Sequence, residues 1–142
     1  MKLVDTNVLV YSVYRESPHH FESVGWLDST LTRREPVGFA WLALVAFVRL
    51  TTNPKVSNPP LSPEKAMDYV SKWLAAPSTR VLHPGPRHAE YFLDALKAVP
   101  HDPNLVNDAH LAAIAREHRA TIISFDSDFG LFPSIKWERP RR

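Results

Sequence analysis

Cysteine is absent from this 142-residue chain, which removes thiol catalysis, thiolate metal sites and a disulfide framework together. A chain without cysteine suits a reducing compartment, so the cytoplasm is the expected location. No apolar run is long enough to cross a bilayer and no signal-peptide pattern opens the chain, so neither membrane insertion nor secretion is expected. Internal repeats and low-complexity blocks are also missing, which argues against a solenoid and a disordered tail. Charge of one sign does not dominate: Lys+Arg 17 against Asp+Glu 15 gives a net +2, which permits a nucleic-acid partner without demanding one.

A hydrophobic content of 44% and a charged content of 23% are ordinary for a soluble globular protein. The length fits one domain over residues 1–142, large enough to bury a core without disulfides or a structural metal. The ending WERPRR reads as a basic, solvated terminus.

Two proline-rich stretches, NPKVSNPPLSPE and HPGPRH, exclude helix interiors and read as loops. Around them, Lys2 to Val4 read as a short buried strand, and Val8, Leu9 and Tyr11 to Tyr14 suit a helix beginning just after Asp5. Pro36 to Ala40 form a possible second strand, followed by a buried helix over WLALVAFVRLTT. SPEKAMDYVSKWLAA opens with a capping signature and predicts an amphipathic helix with Ala66, Tyr69, Val70, Trp73 and Leu74 on one side. RVLH is a third short strand, and PRHAEYFLDALKAV predicts a helix with Ala89, Phe92, Leu93 and Leu96 inward. Asp102 before Pro103 reads as a cap leading into NLVNDAHLAAIAREHRA, and TIISF is a buried strand. Strands alternating with helices imply a parallel sheet covered on both faces, a three-layer α/β/α fold of four to five strands. Parallel strands deliver their C-terminal ends to one edge, where such folds place their ligands.

That edge is where the acids fall. Asp5 directly follows the first strand, and it reads either as a helix cap or as a catalytic or metal-binding carboxylate. Asp126 directly follows the last strand, and in an extended segment Ser124, Asp126 and Asp128 share a face; turn and capping roles are the other reading, at least as good for Asp128. Asp108 opens a helix that is apolar nearly all round; such a helix is buried, and a buried Asp needs a partner. His110 in the same stretch reads as a surface or core-edge residue. Gathered carboxylates repel unless a cation neutralises them, and hard oxygen ligands point to Mg²⁺ or Mn²⁺. Such ions activate water and steady developing charge in phosphodiester cleavage.

In LVDTNVLVY, WLALVAFVRLTTNP, NDAHLAAIAREHRATIISFDSDFGLFP and WERP the chain resembles the PIN-domain ribonucleases, and within them the VapC-type toxins of bacterial toxin–antitoxin pairs. The resemblance implies an α/β/α fold and a Mg²⁺- or Mn²⁺-dependent endoribonuclease acting on RNA. It also implies a homodimer inhibited by a VapB-type antitoxin that lays a helical tail across the active cleft. By position, Asp5, Asp108 and Asp126 match the family's metal-binding acids and Asp128 a second acid often found beside the last. Thr6 and Ser124 would support this shell by hydrogen bonding. The family often carries Glu before the Phe of the middle helix, where this chain has Ala46. Arg49, one turn later, would pair with a carboxylate in the same cleft or contact an RNA phosphate.

Three rivals remain on the residues. A haloacid dehalogenase-like phosphatase needs a second Asp where this chain has Asn7, and a receiver domain needs paired early acids and a late strand-end Lys that are absent. A binding module is the rival of another class: with Ala46 in place of an acid, the fold would hold RNA or an antitoxin without cutting.

Overall fold

Leu3 and Val4 are neighbours in the chain and both fully buried, yet they belong to different cores. Successive side chains of a strand point to opposite faces, so a strand covered on both sides reads as an unbroken apolar run. The computed structural model describes residues 1–33 and 35–141. Within them β1 (Lys2–Val4), β2 (Val37–Phe39), β3 (Thr79–Val81), β4 (Thr121–Ile123) and β5 (Lys136–Glu138) form one sheet in the order β3-β2-β1-β4-β5, every pair parallel.

Six α-helices cover it: α1 (Thr6–Val13), α2 (His20–Leu31), α3 (Trp41–Thr51), α4 (Pro63–Ala75), α5 (His88–Ala98) and α6 (Val106–His118). One core joins Leu3 and Ile122 to Ala95 and Val99 and to the small apolar side chains of α6. The other joins Val4, Phe39 and Ile123 to Val8, Phe47 and Trp73. The fold is the expected three-layer α/β/α sandwich. α4 starts as its sequence predicts: Ser62 Oγ accepts from the Lys65 amide at 3.1 Å, Pro63 fills the first turn, and Ala66, Val70 and Trp73 are buried.

Three expectations change. α2 has no counterpart in the sequence reading, although Ser23, Trp26, Leu27 and Thr30 are buried at helical spacing; two of those four are polar, which hides the apolar stripe. The chain end is no solvated terminus up to Pro140: Lys136–Glu138 add the edge strand, Trp137 packs on the core and Pro140 is buried. On α5, Ala89 and Leu93 are exposed, and Ala95 and Val99 are inward beside Phe92 and Leu96, because the face is chosen by where α6 lies. Asp102 is a cap as expected, of a short 3₁₀ turn, Pro103–Leu105, that leads into α6.

Register places the site. Lys2, Leu3 and Val4 pair with Thr121, Ile122 and Ile123, so the next residues, Asp5 and Ser124, lie abreast at the C-terminal edge.

Candidate active site

Asp5 leaves β1 and caps α1 in the same residue. Its amide donates to the Ile123 carbonyl at 2.9 Å, Oδ1 accepts from the Thr6 amide at 2.8 Å, and Oδ2 accepts from Ser124 Oγ at 2.7 Å. The capping reading of Asp5 thus holds, and the cap stands at the strand edge. Ser124 is fully buried, and its Oγ also accepts from Asn7 Nδ2 at 3.0 Å and from the Asp126 amide at 2.9 Å. Asn7 Oδ1 accepts from the Phe125 amide at 3.2 Å, so Asn7 clamps the β4 end from both sides of its amide. Sequence reasoning used Asn7 only against a phosphatase; the signal for its role is its place two residues after Asp5 in the first turn of α1.

Asp126 caps a 3₁₀ turn over Ser127–Leu131, with Oδ1 accepting from the Asp128 amide at 2.8 Å, and Asp128 is exposed. Asp108 stands half-buried in the first turn of α6. Burial, and then the charges of Asp5, Asp126 and Asp128, push its carboxyl up to about 7. Among the described residues its oxygens accept no hydrogen bond. Asp5 is raised as well: burial is the main cause, opposed by the bonds from Ser124 and Thr6, with Asp126 adding repulsion. Asp108 thus feels the charge of the other three acids, and Asp5 that of Asp126.

Asp5 and Asp108 face a cavity of about 540 Å³, together with Thr6, Ala46 and Arg49. Asp126, Asp128 and Ser124 are not among the residues that line it. The Thr6 hydroxyl donates to the Ala43 carbonyl at 3.3 Å and ties α1 to α3, so Thr6 reaches the acids through its amide alone. Arg49 is exposed at the cavity wall and makes no ion pair among the described residues; the ion-pair expectation fails because no carboxylate comes within reach. His110 sits between α5 and α6, with Nδ1 2.8 Å from His88 Nε2.

No three carboxylate or imidazole groups among the described residues already stand where they could share a metal ion. The donor set nonetheless fits a hard divalent cation: oxygen ligands only, charge in excess, and one carboxyl pushed up by burial and by the acids around it.

The sheet, the acids at its edge and the cavity before them define a domain of the PIN class, and the PIN-domain family model matches residues 2–133. The chain is 51% identical over 140 residues to ribonuclease VapC37 of Mycobacterium tuberculosis, covering 99% of this chain and 97% of that protein. Against ribonuclease VapC43 of the same organism it is 38% identical over 140 residues, covering 99% and 95%. The crystal structure of Mycobacterium tuberculosis VapC20, a sarcin-ricin loop cleaving toxin, superposes with a TM-score of 0.69 at 16% identity over 96% of this chain and 99% of that one. VapBC2 from Rickettsia felis, bound to a DNA fragment from its promoter, gives a TM-score of 0.67 at 14% identity over 97% of both chains. The chain belongs to the PIN-domain family, among the VapC ribonucleases.

Proposed function

We propose that the chain is an endoribonuclease toxin of a toxin–antitoxin pair, cutting RNA with Mg²⁺ or Mn²⁺ held by Asp5, Asp108 and Asp126. The observation that carries this reading is the Asp108 carboxyl raised to about 7 inside a cluster of acids that opens on a cavity. A structural role would favour carboxylates that are paired or solvated; here burial first and repulsion second act on Asp108, and a divalent cation would offset both. The ribonuclease names of the relatives support the activity, and the VapBC complexes among the similar folds support a VapB-type antitoxin as partner.

When bound, such a cation activates a water and neutralises the charge that develops on the phosphate. The chain's own residues prepare for that. Ser124 holds Asp5 in one rotamer, Asn7 fixes the strand end that carries Asp126, and the first turn of α6 aims Asp108 at the cavity. Asp128 adds negative charge without lining the cavity. Arg49, exposed at the wall and free of acid partners among the described residues, is the cation placed to meet an RNA phosphate. A homodimer would cover Trp41 and Val45, which are 44% and 59% exposed on α3.

A second reading, a binding module that does not cut, is favoured by Ala46 at the cavity wall, where the family often supplies a carboxylate. Incubating purified protein with a structured RNA and Mn²⁺, with and without chelator, separates the two. Cleavage that the chelator stops supports the nuclease; tight RNA binding without cleavage supports the module.

A further inference from the structure

Arg139 stands at the same sheet edge as the acids. Ile123 pairs with Glu138 and the Ser124 amide donates to the Glu138 carbonyl at 3.0 Å, so the residues that follow β4 and β5 lie side by side. Neighbours on both sides fix its position: Trp137 packs on the core and Pro140 is buried. The guanidinium lies 5.2 Å over the ring of Phe125. That ring is itself held, stacked on His19 with centroids 4.3 Å apart and met by the Tyr11 ring at 5.5 Å. Tyr11 lines the cavity before Asp5 and Asp108.

Of the three arginines that lie over an aromatic ring, two are also spent on acids. Arg116 reaches Asp94 at 2.9 Å and Arg87 reaches Glu90 at 3.0 Å. Arg139 is exposed and has no carboxylate partner among the described residues. Followed along the sheet order, the C-terminal edge carries Arg139 after β5, Asp126 after β4 and Asp5 after β1, and Arg49, on the helix after β2, stands on the wall of the cavity that Asp5 and Asp108 face. A cation therefore flanks the acids on each side. A polyanion crossing the carboxylates would be repelled between its two anchors and needs both, and a cation beside an aromatic cluster is how single strands are tracked.

We propose that Arg139 is a positioning residue that binds a backbone phosphate of the RNA strand on the side of the acids opposite Arg49, with Phe125 holding the guanidinium ready. This deepens the nuclease reading and rests on it. The competing account is structural: the guanidinium merely shelters the Phe125 ring.

The test uses the full chain and a labelled single-stranded RNA in chelator, with binding followed against salt, and then steady-state cleavage with Mn²⁺. Arg139→Met keeps an apolar cover on Phe125 and removes the charge; Arg139→Lys keeps the charge. Counterion release from one phosphate contact makes Arg139→Met bind about fivefold more weakly at 0.1 M salt and reduces the slope of log affinity against log salt by about 0.7. Arg139→Lys retains most of the affinity. In cleavage, KM rises by the same factor and kcat holds, since the contact is equal in ground and transition states. Arg139→Gln repeats the measurement should the Met variant fail to fold. Unchanged affinity and salt slope in a folded charge-removed variant would overturn the proposal, as would a fall in kcat with RNA affinity intact. Should the wild-type protein fail to cut while the binding deficit persists, the nuclease reading falls and this contact stands.

Discussion

Ser124 Oγ donates to Asp5 Oδ2 at 2.7 Å across 119 residues of sequence, and it is the only side-chain hydroxyl among the described residues that touches one of the acids. The same oxygen accepts from Asn7 Nδ2 and from the Asp126 amide, so one buried atom joins β1, α1 and the turn after β4. Ser124→Ala is expected to lower the cleavage rate about 10–100-fold, the usual effect of removing a group that orients a ligand. It should also cost about 1–3 kcal/mol of stability, because it strands two part-buried donors. Single-turnover kinetics and chemical denaturation measure the two effects; a full rate in a destabilised variant would show that Asp5 needs no such orientation.

Asp108 predicts a pH dependence with a definite sign. Its carboxyl lies at about 7 in the folded chain against an ordinary 3.8, so between these values the native state holds the proton more tightly than the unfolded chain. Stability of the metal-free protein should therefore fall as pH rises from about 4 to about 7 and level off above, a slope opposite to that of a paired carboxylate. Asp108→Asn should flatten that slope, raise stability at pH 7.5 by about 1 kcal/mol once solvent screening of a partly exposed group is allowed for, and abolish cleavage. Thermal melts in chelator across this range, with parallel RNA assays, decide it. A variant that still cuts would remove Asp108 from the site.

Ala46 faces the cavity from α3. Ala46→Glu is expected to tighten Mn²⁺ binding and speed cleavage, since water in place of a missing ligand costs affinity and positioning. Wild-type activity should be weak and better supported by Mn²⁺ than by Mg²⁺. Calorimetric titration and cleavage assays on both forms test this. Equal metal affinity and rate in a well-folded variant would show that the position lies outside the site.

Co-expression with a cognate VapB-type antitoxin should give a stable complex in size-exclusion chromatography, with the free chain eluting as a dimer. A monomer that ignores every such antitoxin would dispose of both partnerships.

The fold was legible wherever burial forced a run. Leu3–Val4 and Ile122–Ile123 are covered on both faces, so they are apolar without interruption, and the acid after each stands out as a change of character. α4 was legible because one exposed face leaves a clean stripe, Ala66, Val70 and Trp73. α2 was not, because Ser23 and Thr30 occupy buried positions. β5 was not, because an edge strand needs little burial: Lys136 and Glu138 are exposed and only Trp137 turns inward. For the acids, sequence brought Asp5, Asp108 and Asp126 to one edge by topology. It could not reveal that Asn7 and Ser124 share a bond or that Arg49 stands without an acid, since those depend on rotamers and on the register of strands far apart in sequence.

The strand that carries Asp5 precedes the other four strands of the sheet in the chain and takes its place in their middle, where its β4 neighbour comes more than a hundred residues later. Until that neighbour is synthesised, β1 has an open side and Asp5 lacks the hydroxyl that orients it. Domains gain such long-range pairings late, after the loops between them close. The acids can therefore come together only once the last strands dock, so the site is an attribute of the finished domain and no shorter nascent piece carries it.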